Sequence, residues 1–214
     1  MNRLMSVLLL FGVSLLAICS EPAQAQEEAF KGRWESIKVS LGGLGFMLFI
    51  GDNGRQFHSR GAIVDAPYRL EGDILVLGRP VGERRGHKET RMKMVVRGDT
   101  LVQSANEPSQ GNVWNEIIMT RVPSTKEGDH PLLGSWMWPH PSGPMAFTTF
   151  TENMMFFRLP FQIVEGTYTV EDDEAVMTLW GRSEIRWRLE MTDAGDVLIG
   201  SDGIRLRRAL AYFN

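Results

Sequence analysis

Alternating apolar and polar residues dominate the chain after its first 25 residues. Residues 184–191 place their apolar side chains on one face and glutamate and arginine on the other. Residues 90–94 and 204–207 repeat the alternation, and no window of a dozen residues after residue 25 shows helical periodicity. The pattern predicts an all-β fold of antiparallel strands joined mostly as consecutive hairpins.

Turn residues separate these runs. Glycine beside aspartate or asparagine tolerates the positive φ that tight hairpin turns require. Such turns are predicted at residues 52–54, 71–73, 97–99, 194–196 and 201–203.

The landmarks of the chain occur twice. Gly32-Arg33-Trp34 is matched by Gly134-Ser135-Trp136, and Tyr68 by Tyr168. The Gly-Asp turns at 98–99 and 195–196 and the arginine-bearing strands at 121 and 205–207 keep the same order. A period of about 100 residues is too long for a solenoid and indicates a duplicated small domain.

The duplication predicts two tandem β-domains. The polar stretch 124–131 is predicted to be a linker, because its prolines, glycine and charged residues have no apolar face. Domain 1 then covers residues 26–123, starting with a disordered lead-in at 26–30, and domain 2 covers residues 132–214. One continuous barrel over the same residues is the alternative.

The first 25 residues resemble a secretory signal peptide. Arg3 precedes an apolar run from Leu4 to Ile18, and Ala23-Gln24-Ala25 matches a cleavage site. We therefore expect a secreted or periplasmic protein with no membrane span in the mature chain. A lipoprotein anchored through Cys19 is the alternative, although Ile18 is bulkier than the small residue usually found before such a cysteine.

Composition removes several classes of function. Cys19 is the only cysteine, so a chain cleaved after Ala25 has no disulfide and no thiolate chemistry. The net charge of −3 is small and no basic stripe is present, so nucleic acid is not an expected partner.

No catalytic or metal-binding pattern is present. The chain lacks a Gly-x-Ser-x-Gly elbow, and the glycines at 42–45 are not followed by the Gly-Lys-Ser/Thr of a phosphate loop. The four histidines, at 58, 87, 130 and 140, lack the sequence spacing of metal ligands. They are predicted to be exposed loop residues. We expect a non-catalytic protein without cofactor or metal.

A glycine, one residue and a tryptophan on a first strand, with an arginine on the last strand, resemble the closing cluster of lipocalins and smaller lipocalin-like β-barrels. The resemblance implies that each unit is a meander β-barrel or sandwich whose indole plugs one end beneath an arginine. It implies pairs of Trp34 with Arg121 and of Trp136 with Arg207, each beside its glycine, Gly32 or Gly134.

A ligand site is predicted beside the second indole. Trp136 and Trp138 share a strand face, and Pro139-His140-Pro141 forms a stiff loop. Trp138 would line the interior above Trp136, with His140 at the rim, where a small apolar ligand fits. Ordinary core packing of Trp138 is the alternative.

Two functions remain open from the sequence. One is non-catalytic binding of a small apolar ligand, as the lipocalin-like resemblance implies. The other is a structural or protein-interaction module of the cell envelope whose barrels are filled with side chains.

Overall fold

The computed structural model describes residues 21–40, 42–82, 89–105, 116–123, 125, 128–181 and 183–210. This part of the chain confirms the all-β prediction: it forms one helix and a continuous antiparallel sheet of fifteen strands. The elements are α1 (Glu21–Phe30), β1 (Gly32–Ser36), β2 (Leu44–Ile50), β3 (Arg55–Glu71), β4 (Ile74–Leu77), β5 (Thr90–Arg97), β6 (Thr100–Ala105), β7 (Glu116–Arg121), β8 (Gly134–Pro139), β9 (Met145–Phe150), β10 (Met154–Pro160), β11 (Val164–Glu171), β12 (Glu174–Leu179), β13 (Ser183–Thr192), β14 (Gly195–Gly200) and β15 (Arg205–Arg208).

The strands close into two rings of eight. Ring one runs β1, β2, the first part of β3, β11, β12, β13, β14 and β15, which pairs again with β1. Ring two runs from the second part of β3 through β4 to β10, which pairs again with β3. Closure leaves neither ring with an open sheet edge.

Strand β3 belongs to both rings. Its residues 55–58 pair with β11 and its residues 61–67 with β10, while β2 and β4 occupy the opposite edge. The matching segment of the second repeat is interrupted between β10 and β11 at residues 161–163. A side chain at Gly61 would lie 2.2 Å from the carbonyl oxygen of Leu159, so a glycine allows β10 to cross β3 closely.

The two repeats therefore exchange strands. Ring one combines β1, β2 and the start of β3 from the first repeat with β11–β15 of the second. Ring two combines the rest of β3 and β4–β7 from the first repeat with β8–β10 of the second. The rings do not coincide with the predicted domains 26–123 and 132–214, because each contains strands from both sides of the predicted linker 124–131.

Each ring has its own core. Ring one is filled by Phe46, Leu48, Tyr168, Met177, Trp187 and Leu198, among others. Ring two is filled by Tyr68, Leu75, Leu101, Met119, Phe150 and Leu159, among others. Inward side chains alternate with outward ones along the strands, which is the pattern that the sequence predicted.

Each ring is closed at one end by a tryptophan under an arginine. The Nε1–H of Trp34 donates to the carbonyl oxygen of Phe30, and that of Trp136 to Leu132, both at 2.8 Å. The guanidinium carbon of Arg208 lies 3.9 Å from the ring centre of Trp34. That of Arg121 lies 4.0 Å from the ring centre of Trp136. Both indoles are fully buried.

These contacts correct the predicted pairs. Trp34 packs under Arg208 rather than Arg121, and Trp136 packs under Arg121 rather than Arg207. The physical reason is the strand exchange, which places β1 beside β15 and β8 beside β7. Gly32 and Gly134 have φ of 118° and 108°, a backbone conformation that favours glycine at the start of each closing strand.

The segment before β1 is not a disordered lead-in as predicted. It forms the end of α1, and the Phe30 side chain is buried in the core of ring one. Lys31 forms ion pairs with Glu28 and Asp52, and Glu27 accepts a hydrogen bond from the Tyr168 hydroxyl. Packing of one apolar residue against a ring therefore orders a segment whose sequence has no strong helical pattern.

Four charged residues are packed where the rings meet. Arg158 and Glu35 are fully buried and form two contacts, with Nε to Oε2 at 2.6 Å and Nη2 to Oε1 at 2.9 Å. Arg207 Nη2 lies 3.0 Å from Glu35 Oε1 and 2.8 Å from Asp65 Oδ2. Asp65 Oδ1 lies 2.7 Å from Arg158 Nη2 without the alignment of a hydrogen bond. We call these four residues the junction cluster.

The junction cluster joins the two rings. Glu35 and Arg207 belong to ring one, and Arg158 and the Asp65 part of β3 to ring two. Two carboxylates and two guanidinium groups balance in charge, which buried ions require. An apolar patch formed by Met47, Ile63, Val122 and Phe147 packs beside them.

Candidate functional site

The end of ring one opposite Trp34 is a candidate binding site. Four connections meet there: the segment from β1 to β2, the turn from β12 to β13, the turn from β14 to β15, and residues 161–163 between β10 and β11. We call this region the open end of ring one.

Trp180 lies across this end. It has a φ of 53°, which is uncommon for a bulky residue and carries backbone strain. Its ring contacts His58 edge-on at 4.7 Å and Phe46 at 5.4 Å between ring centres. The guanidinium carbon of Arg60 lies 5.2 Å from the Trp180 ring centre. These contacts hold a partly exposed indole over the open end.

His58 anchors the Trp180 turn from inside the ring. The backbone N–H of Trp180 donates to His58 Nε2 at 3.1 Å, so the proton of the neutral imidazole is on Nδ1, 3.0 Å from Gln56 Oε1. Burial lowers the pKa of His58. The prediction that His58 is an exposed loop residue is wrong, because its strand β3 turns the side chain into ring one.

Two adjacent cavities occupy the open end. The larger, of about 640 Å³, is lined by Ser36, Ile37, Lys38, Leu44, Gly45, Phe46, Arg60, Phe161, Gly203, Ile204 and Arg205. The second, of about 520 Å³, is lined by Arg60, Phe161, Gln162 and Trp180. Arg60 and Phe161 therefore separate the two spaces. Both volumes fall in the range of small-molecule sites.

A third cavity lies along β2 and β3 beside residues 160–163. It measures about 290 Å³ and is lined by Met47, Phe49, Phe57, His58, Ser59, Pro160 and Ile163. Its volume lies at the lower edge of the range for ligand sites.

Deeper in ring one, side chains fill the space. Trp34, Leu48, Trp187 and Leu198 have no exposed surface. The indole nitrogen of Trp187 and the amide nitrogen of Gln56 are buried without a hydrogen-bond partner among the described residues. A ligand of ring one would therefore bind at the open end and not in a deep cavity.

The predicted ligand residues Trp138 and His140 lie together, but in ring two. Their ring centres are 5.2 Å apart, and His140 Nδ1 lies 2.7 Å from the Ser142 hydroxyl. Trp138 is buried in the ring-two core, and its Nε1 has no hydrogen-bond partner in the described part of the chain. None of the three cavities above is lined by either residue.

The strand register explains the difference between the rings. Trp34 faces Leu48 across β1 and β2, and Trp136 faces Thr148 across β8 and β9. Two residues further along, Ser36 in ring one therefore occupies the position that Trp138 has in ring two. Ring one has this serine opposite Phe46, whereas ring two has Trp138 opposite Ala146, so the large side chain lies on β2 in ring one and on β8 in ring two.

Sequence reasoning missed Phe46, His58, Arg60 and Trp180. The even-numbered residues of β3 share one face of the strand, so Gln56, His58 and Arg60 form a polar row along that face. A polar row at inward positions of a predicted strand was the signal for this site.

The chain matches no protein-family model, no curated protein and no solved structure. In the ranges that the structure describes, no group of three or more His, Cys, Asp or Glu side chains has an arrangement that could hold a metal ion. No helix within those ranges is long and apolar enough to cross a membrane.

Proposed function

We propose that this protein binds a small apolar ligand, without catalysis, at the open end of ring one. The observation that carries the proposal is the cavity of about 640 Å³, whose apolar wall includes Ile37, Leu44, Phe46, Phe161 and Ile204. Concave, mostly apolar sites with a few polar groups are typical of small-molecule binding.

The lipocalin-like interpretation agrees with this proposal. Each ring has eight strands and a buried indole under an arginine at one end. The signal-like residues 1–25 support export, so we propose a secreted or periplasmic binding protein. Anchoring through Cys19, which lies outside the described residues, remains the alternative to cleavage after Ala25.

The filled cores favour a second candidate function. Side chains occupy the middle of both rings, as expected for a structural or protein-interaction module of the cell envelope. In that case the rings serve as rigid supports for surfaces that contact another protein.

Binding of N-phenyl-1-naphthylamine, a neutral apolar dye that fluoresces in apolar surroundings, tests the first function. We expect saturable binding of one dye per chain. The test variant is Ser36→Trp, which places at this cavity-lining position the indole that Trp138 has in ring two. This variant should lose dye binding, because an indole would fill the cavity.

Met191→Ala is the control, because Met191 is 86% exposed on β13 and lines none of the three cavities. Near-UV circular dichroism should show native packing in both variants. Absence of saturable dye binding to the wild type would contradict ligand binding and favour the interaction module. Equal binding by the wild type and the filled variant would place the site elsewhere.

A further inference from the structure

Three positive charges surround the larger cavity at the open end of ring one. Lys38 follows β1, Arg60 lies on β3, and Arg205 begins β15. The three residues are far apart in the sequence, and closure of the ring brings them to one cavity. Each is exposed, so its charge is available to a ligand.

These three cations differ from most others in the protein. Most lysines and arginines of the described ranges form ion pairs, such as Arg55 with Glu165 and Arg188 with Glu190. No described carboxylate lies within ion-pair distance of Lys38, Arg60 or Arg205.

The cavity wall beside these cations is largely apolar and lacks acidic side chains. The cavity wall contains five large apolar side chains and no aspartate or glutamate. Arg60 also lies against Trp180, so its guanidinium is held between the two adjacent cavities. Guanidinium groups recognise carboxylate and related oxyanions through paired, charge-assisted hydrogen bonds.

We propose that the ligand of this site is an anion-headed amphiphile, whose carboxylate, sulfonate or similar head contacts Lys38, Arg60 and Arg205 while its apolar body covers Phe46 and Phe161. This inference rests on the proposed function, since it names the ligand class of the same site. Arg60 supplies the central contact, because it lines both cavities.

Two dyes with the same aromatic body test the charge requirement. 1-Anilinonaphthalene-8-sulfonate carries an anionic head, and N-phenyl-1-naphthylamine is neutral. The full chain should bind the sulfonate at least about tenfold more tightly, the scale of one charge-assisted contact. Dodecanoate should displace either dye at a lower concentration than dodecanol does.

Arg60→Gln should weaken sulfonate binding about tenfold and change binding of the neutral dye less than about twofold. Arg97→Gln is the matched control, because Arg97 also lacks an ion pair with a described carboxylate but lies at the β5–β6 turn of ring two. This control should bind both dyes as the wild type does.

The outcomes separate the two proposals. If both dyes bind with equal affinity, or if Arg60→Gln and Arg97→Gln behave alike, the anion-headed ligand is refuted while apolar binding stands. If inorganic sulfate displaces the sulfonate dye as effectively as dodecanoate does, the site recognises charge alone and the amphiphile is refuted. If neither dye binds, the proposed function fails as well.

Discussion

Replacement of Arg158 by methionine tests whether the junction cluster holds the rings together. The change removes both contacts to Glu35 and the contact to Asp65 while keeping an apolar side chain of similar length. Glu35 is fully buried and would keep only Arg207 as a charged partner. Loss of one partner of a buried ion pair costs about 3–5 kcal/mol, because the remaining charge stays buried.

Urea denaturation followed by circular dichroism measures this loss as a change in the free energy of unfolding. The midpoint should fall while the slope against urea stays unchanged, since the folded surface is the same. The control is Arg55→Met, whose ion pair with Glu165 is more than half exposed on both sides. Exposed pairs contribute about 0–1 kcal/mol, so this control should lie close to the wild type.

A double-mutant cycle isolates the ion pair itself. The register makes Met137 the second-repeat counterpart of Glu35, so Glu35→Met introduces a side chain that the fold already accepts at this position. Adding Glu35→Met to Arg158→Met should restore part of the lost stability, because it removes a buried carboxylate that has lost one of its two guanidinium partners. The Glu35→Met single variant completes the cycle. A loss below about 1 kcal/mol for Arg158→Met alone would refute the reasoning.

Two further predictions concern strand β3. Gly61→Ala should destabilise the protein by about 2 kcal/mol or more, whereas Gly42→Ala should be nearly neutral in thermal unfolding, since the new methyl group meets backbone only at Gly61. Equal melting temperatures for the two variants would contradict the close crossing of β10. The lowered pKa of His58 means that the unfolded chain binds more protons below about pH 6.5, so stability should fall as the pH decreases from 7 to 5. His58→Gln should flatten this part of the curve, and an unchanged slope for His58→Gln would count against a buried neutral imidazole.

The sequence predicted the strands well because their signals are local. Alternation in residues 90–94 and 184–191 matches β5 and β13, and the turn predicted at Gly98-Asp99 joins β5 to β6. Alternating burial depends on the side chains of one strand and not on which ring contains it.

The strand exchange could not be predicted from the same signals. Both repeats carry an equivalent tryptophan and an equivalent arginine-bearing strand. Each tryptophan could therefore make the same contact with the arginine of its own repeat or with that of the other repeat. The exchange depends on β3 continuing through residues 59–63, where the second repeat has Pro160 and an interruption. That difference between the repeats spans only a few residues, and its effect on strand pairing appears only in the folded structure.

The sequence did not indicate the candidate site, because the ligand-site prediction was based on the large side chain of Trp138. Trp138 does face inward, as the shared strand face with Trp136 indicated, but it fills ring two. The informative residue is Ser36, which is small where the other repeat has an indole. Comparison of the two repeats position by position would have indicated that the rings differ here, with Ser36 opposite Phe46 in ring one and Trp138 opposite Ala146 in ring two.

Cleavage between the repeats tests the central claim, which is that each ring contains strands of both. A specific protease site would be inserted after Thr125, and the cleaved protein would be examined by size-exclusion chromatography with mass detection. The exchanged fold predicts one particle with the mass of the uncleaved chain, whose two fragments separate only in denaturant. Separation into two folded fragments without denaturant would contradict it.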